Sequence, residues 1–180
     1  MDKAIITVLL IVAGVVCVTF AFNAIYPAVS RGSDAVLTMA DAVGDKIKTQ
    51  VEIIHAASEY DPDDAVDHWN DVNSNSTFDI FAWVKNIGTS RILGIKECDI
   101  FFGEEGDFRR IPHEDYAGGS KPYWEYTLED GADDWASGKT LKITIVYASS
   151  YASSGLSADT TYLIKFITPE GISDEINFSW

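Results

Sequence analysis

Charged residues are missing from the whole of AIITVLLIVAGVVCVTFAFNAIYPAVS, residues 4–30 of a 180-residue chain. That gap excludes a water-exposed role for the segment, because a helix apolar on every side needs lipid or other apolar helices around it. Cations are scarce as well: 13 Lys and Arg stand against 28 Asp and Glu, a formal net charge of −15. Such an acidic chain repels nucleic acid and anionic lipid headgroups, so neither is expected as a partner. The charge suits exposure to the outside, to salt, or to a high density of copies. There are two cysteines, Cys17 inside the apolar run and Cys98 far along the chain, so a disulfide would have to join lipid depth to a globular domain. Both read as buried thiols acting as small hydrophobes.

Catalytic patterns are missing too. The three histidines, His55, His68 and His113, stand in separate segments, form no H-x-x-x-H pair, and read as surface residues. No P-loop, no G-x-G-x-x-G after a strand and no G-x-S-x-G occurs. Asp61, Asp63, Asp64 and Asp67 in DPDDAVD, and the pair Asp133–Asp134, supply oxygen atoms but lack the glycine and glutamate spacing of a calcium loop, and read as solvated turns. No catalytic residue, cofactor or metal is therefore assigned, and the chain reads as a non-enzyme.

The apolar run is longer than the roughly 20 residues that cross a bilayer and far longer than a signal-peptide core. After Pro27 and SRGSD, apolar residues recur at Val36, Ala40, Val43, Ile47, Val51, Ile54 and Ala57, one stripe of a helix. The helix is expected to stop before SEYDPDD. From Thr77 the sequence turns to short β-branched and aromatic runs: TFDIFAWVKN, RILGIKECDIFF, FRRI, YWEYTL, KTLKITIVYA, TTYLIKFIT and SDEINFSW. In the first, Phe78, Ile80, Ala82 and Val84 alternate with Asp79, Phe81, Trp83 and Lys85; in the fifth, Leu141, Ile143 and Ile145 alternate with Lys142, Thr144 and Val146. Seven strands in about 100 residues predict a Greek-key sandwich of the immunoglobulin class. The expected fold is α+β, a long N-terminal hydrophobic α-helix followed by an immunoglobulin-like antiparallel β-sandwich. Its parts are a helix over 1–59, an acidic linker over 60–76 and a head over 77–180.

Trp69, Trp83, Tyr123, Trp124, Tyr126, Trp135 and Trp180 are abundant for a chain of this length; some are expected in the core, and any excess on the surface would serve subunit contacts or as ligand platforms. The repetitive YASSYASSGLSAD, residues 147–159, reads as a flexible loop. Asn75 and Asn177 head N-x-S/T sequons and are candidate glycosylation sites on an exported face.

A long helix ahead of a small sandwich, with FAWVKNIGTSRI (81–92) and TTYLIKFITPEGISDEINF (160–178), resembles the archaellins and the related archaellum stator proteins, type IV pilin-like subunits. The resemblance implies a structural subunit that polymerises into an extracellular helical filament for motility or adhesion. Before assembly such a subunit sits in the cytoplasmic membrane and depends on assembly and export machinery, and its partners are copies of itself. The implied assembly core is Ile5, Ile6, Val8, Leu9, Leu10, Val12, Ala13, Gly14, Val16, Phe20, Phe22, Ile25, Val36, Val43, Ile47 and Ile54. The alternative under the same resemblance is a membrane-anchored archaellum stator or cell-envelope binding protein with the same sandwich. No basic leader ending in glycine or alanine precedes the run, and Ile5 stands where bacterial type IV pilins carry glutamate. Either a mature chain or an unprocessed one is expected, the latter favouring the stator.

Overall fold

The computed structural model describes residues 2–64, 68–131, 134–154, 156 and 160–179, without the side chains of Asp2, Ala42, Asp45–Ile47, Asp130 and Ser154. Two compact units divide the chain, Met1–Asp45 and Lys46–Trp180. The first is made by helix α1, which runs from Asp2 to Lys48 and continues through Pro27.

The second unit is a sandwich of two four-stranded antiparallel sheets. Strands β1 (Val51–Ser58), β2 (Thr77–Asn86), β3 (Asp99–Glu104), β4 (Asp107–Ile111), β5 (Tyr123–Leu128), β6 (Thr140–Ala148), β7 (Tyr162–Ile167) and β8 (Ser173–Phe178) form it, with short helices α2 (Glu114–Ala117) and α3 (Ser150–Ser154) in the connections. The orders β1-β2-β6-β5 and β4-β3-β7-β8 reproduce the ABED and CFG sheets of the immunoglobulin fold, with β4 as an added strand beside C. The predicted alternation sets the core: Phe78, Ile80, Ala82 and Val84 of β2 and Leu141, Ile143 and Ile145 of β6 are buried. They face Ile100 and Phe102 of β3 and Tyr162, Ile164 and Phe166 of β7 within one cluster. Trp124 and Trp135 are fully buried there, while Trp180 lies outside the described residues.

Three expectations need correction. Residues 51–58 are a strand, not the end of the helix: Val51 and Ile53 are buried while Glu52 and Ile54 point out, and the backbone pairs with β2 from Asn86 to Ile80. A sheet edge with apolar partners outweighs a helical stripe, because burying two β-branched residues and completing a ladder stabilises more than helix propensity does. Ile54 sits at a register shift between Ile53 and His55, a bulge that places it on the surface. The second strand of the head starts at Asp99 and not at Arg91. Gly94, at φ +68°, opens a 3₁₀ turn over Ile95–Glu97, and Ile92 makes only an isolated bridge to Trp135. Finally, YASSYASS is not a free loop, since Tyr147 and Tyr151 stack with centroids 4.0 Å apart and Ala152 is buried.

The NIGTS turn after β2 explains its own composition. The fully buried Asn86 donates through Nδ2 to the carbonyls of Ser90 (2.8 Å) and Trp135 (3.1 Å) and accepts the Gly88 N–H at 3.0 Å. The N–H groups of Ile87 and Gly88 donate to the Gln50 carbonyl and that of Ser90 to Lys48, each at 2.9 Å. A Cβ on residue 88 would collide with the Lys48 carbonyl and the Gln50 nitrogen, so glycine is required by close approach. Gly88→Ala is expected to destabilise the head by about 1–3 kcal/mol, read as a lowered Tm in the near-ultraviolet circular dichroism melt. An unchanged Tm would mean that the turn can open without cost.

Candidate assembly surface

The apolar run forms a helix because Leu, Ile, Val and Ala dominate it and no charge interrupts it. Its 27 residues rise about 40 Å, against a hydrocarbon core of about 30 Å. Over Lys3–Asp41 the helix is long and apolar enough to cross a membrane, with none of its most apolar window buried in the chain. Leu9, Phe20 and Phe22 stay about 70% exposed. The hydroxyls of Thr7 and Thr19 donate to the carbonyls of Lys3 and Val15 at 2.9 and 2.6 Å, so these polar atoms are satisfied inside the helix and do not need water. Gly14 has nothing within 4 Å of a would-be Cβ.

Of the residues singled out for assembly, Ile5, Ile6, Val8, Leu9, Leu10, Val12, Ala13, Gly14, Val16, Phe20, Phe22, Ile25, Val36 and Val43 lie exposed along α1, Gly14 and the rest alike open to whatever surrounds the helix. Ile47 is in α1, but its side chain is outside the described residues. Ile54 is separated from the others, on β1 of the sandwich. Cys17 is exposed on α1, not buried, whereas Cys98 is buried beside the start of β3. Burial and three nearby carboxylates push the Cys98 thiol up to about 12, so it is inert at neutral pH.

The rest of the head carries structural, not reactive, polar groups. Among the described residues no group of three or more His, Cys, Asp and Glu side chains is placed to hold a metal. Asp61 Oδ1 accepts the Asp63 N–H (3.0 Å), closing its own turn, and Asp134 stands 4.0 Å from Arg91. Asp67 and Asp133 lie outside the described residues. His113 is buried, not on the surface; its Nδ1 accepts the Asp115 N–H at the start of α2, and the ring meets Trp124 edge-on at 4.6 Å. Burial holds it below the ordinary histidine range, against the opposing charges of Asp115 and Glu114. On the outer face of β2, His55 packs against Trp83 at 5.2 Å, and the Lys142 ammonium lies 4.4 Å from the Phe81 ring centre. Asn177 is exposed on β8; the Asn75 amide donates to Asp79 at 2.9 Å.

Two buried carboxylates, invisible in the sequence, hold the loop before β2. Glu59 accepts the N–H groups of Val72 and Asp79 at 3.0 Å, and Asp79 accepts from Asn73, Asn75 and Thr77. Burial raises the Glu59 carboxyl above its ordinary 4.5; the Asp79 N–H opposes this and the Asp79 charge adds to it.

No family model matches the chain. A protein of Archaeoglobus fulgidus described as uncharacterized is 27% identical over 183 residues, 99% of this chain and 98% of that one. Among solved structures, the archaellum periplasmic stator protein FlaG of Sulfolobus acidocaldarius is 25% identical, with a TM-score of 0.51 over 72% of this chain and 99% of that one. The neighbours are archaellum components. The FlaF and FlaG stator complex of the same organism aligns equally, at 25% identity and TM-score 0.51, over 72% of this chain and 89% of that one. The archaeal flagellum of Methanospirillum hungatei covers 96% of this chain and 90% of that one at 12% identity and TM-score 0.50, a likeness of fold alone. These archaellum neighbours are structural proteins, not enzymes, and an archaellum-related structural role follows for the fold.

Because the folded Glu59 binds its proton more tightly than the unfolded chain does, its contribution to stability is full below about pH 4.5. It is lost as pH rises through the higher folded value. Carbon-detected NMR of the Glu59 carboxyl should give a midpoint above 4.5, and Glu59→Gln should flatten this part of the stability-against-pH curve. A midpoint at or below 4.5 would contradict the burial effect.

Proposed function

We propose that the chain is a membrane-anchored component of the archaellum's periplasmic stator, with α1 in the cytoplasmic membrane and the sandwich outside it. The observation that carries this reading is the similarity to FlaG, at 25% identity over 72% of this chain and nearly the whole of that one, twice the identity to the filament structure. An apolar span with self-satisfied hydroxyls and no packed face within its own chain supports permanent residence in lipid.

The second reading is a filament subunit, with the exposed residues from Ile5 to Val43 as an assembly core and copies of the chain as partners. The flagellum of Methanospirillum hungatei favours it in one respect, since that alignment takes in 96% of this chain, more than the head alone. Close packing of helices in a bundle needs small residues at the contact, and Gly14 is open for it.

Gly14→Trp separates the two. Nothing in the subunit meets a side chain at that position, so its effects come from neighbours. As an anchor, the variant should stay in the membrane fraction after carbonate extraction and support swimming as the natural chain does. As a filament subunit, it should yield no filaments by negative-stain electron microscopy. Filaments made of this chain that vanish in the variant would overturn the stator reading.

A further inference from the structure

In this acidic head, most of the cations whose surroundings are described already face a carboxylate or a ring. Arg91, Lys96, Arg110 and Lys165 each face an Asp or Glu within 4.0 Å, and Lys142 lies over Phe81 and Trp83. Arg109 and Lys121 differ. Among the described residues neither has a carboxylate within ion-pair distance, and both line one pocket of about 250 Å³ with Pro122, Tyr147, Ser150 and Tyr151. Four separate parts of the fold bring these groups together. Arg109 comes from β4, opposite Phe102; Tyr147 lies next to the last residue of β6 and Tyr151 is in α3; Lys121 precedes β5.

The floor of the pocket is built, not incidental. Tyr147 is 5% exposed, and its ring stacks on Tyr151 at 4.0 Å and 16°. Burial is the main reason that both phenols are held above the ordinary tyrosine range, Tyr147 well above it; Tyr147 donates to the Tyr151 oxygen, and the Arg109 charge opposes the rise at both. Tyr151 therefore keeps its own proton to donate, beside a guanidinium that presents a planar fork of donors. Glu104, at the β3 end of the same hairpin, is the opposing charge near Tyr151.

We propose that the Arg109–Lys121 pocket is a carboxylate site, filled in the assembled protein by an acidic side chain of a second copy of this chain. The charge pattern selects that occupant. Two copies at −15 each repel one another over most of their surfaces, and a pocket holding two unpaired cations is where an approaching acidic copy gains attraction. Asp63 supplies suitable chemistry, an exposed carboxylate on a turn already closed by the Asp61 hydrogen bond. The site lies within the head and goes beyond the stator reading, on which it does not depend.

Carbodiimide cross-linking of the full chain in detergent micelles tests this, because the reagent activates a carboxyl and joins it to a lysine amine only on direct contact. Equal amounts of ¹⁴N- and ¹⁵N-labelled chains are mixed first, so that links between copies carry mixed isotopes. Lys121 should appear joined to an acidic peptide of the other copy. Lys121→Arg should remove that link while sedimentation still finds the same oligomer, because arginine keeps the charge but does not react. Arg109→Glu with Lys121→Glu should weaken self-association roughly tenfold or more, the loss of one or two charge-assisted hydrogen bonds. Asp63→Lys in the partner copy should restore it if Asp63 is the occupant. Covalent dimers without a Lys121 link, or double-variant chains that associate as tightly as the natural ones, would overturn the proposal. So would Lys121 links made only within a single copy. A chain that stays monomeric with an intact head would overturn the second-copy occupant and leave the stator reading standing.

Discussion

A buried side-chain amide holds the sandwich at the point where the chain enters it. Asn86 closes the turn after β2, accepts the Gly88 N–H and reaches the Trp135 carbonyl, so one group binds a strand end, a turn and the loop that carries a core tryptophan. The same turn offers the N–H groups of residues 87, 88 and 90 to the carbonyls of Lys48 and Gln50. Every polar atom named here is paired. In a buried site that matters more than the strength of any one bond, because an orphaned amide there costs about 1–3 kcal/mol. The alternating residues of β2 and β6 line one side of the core; the Asn86 network fixes which chain segments share it.

The two units solve opposite solvent problems. Residues 4–30 carry no charge and the helix leaves them exposed, so they require an apolar surrounding that the chain does not itself provide. The sandwich holds nearly all of the net negative charge and buries its own apolar faces. Within it, charges that are buried are accounted for by hydrogen bonds, as Glu59 and Asp79 are by five donors among them. The fold thus separates a charge-free helical stretch from an acidic sandwich that buries its own apolar faces.

The sequence displayed the architecture where side-chain period and burial coincide. Phe78 to Val84 and Leu141 to Ile145 alternate cleanly, and both became central strands. β1 was hidden because Val51 and Ile54 continue the three-and-four spacing of the helix before them, while the period-two signal consists only of Val51 and Ile53 and is then broken by the bulge. The start of β3 was misread for a local reason, since an apolar run does not reveal the left-handed backbone at Gly94. The Tyr-Ala-Ser-Ser repeat concealed order, because a four-residue spacing brings Tyr147 and Tyr151 together only when the chain turns into α3. The pairing of Arg109 with Lys121 was not legible at all. Twelve residues separate them in the chain, and only the return from one sheet to the other makes them neighbours.

The close approach at Gly88 also makes the entry to the head a mechanical joint. Just two residues, Thr49 and Gln50, lie between the last residue of α1 and the first of β1, a reach of about 7 Å when fully extended. A pull transmitted along the chain at Lys48 therefore meets no slack. It loads the hydrogen bonds from the 87–90 turn first and the β1–β2 ladder directly after. Resistance to tension is set by how fast those bonds rupture, an unfolding rate and not an equilibrium stability. The chain thus carries a backbone clamp immediately before and along its first strand.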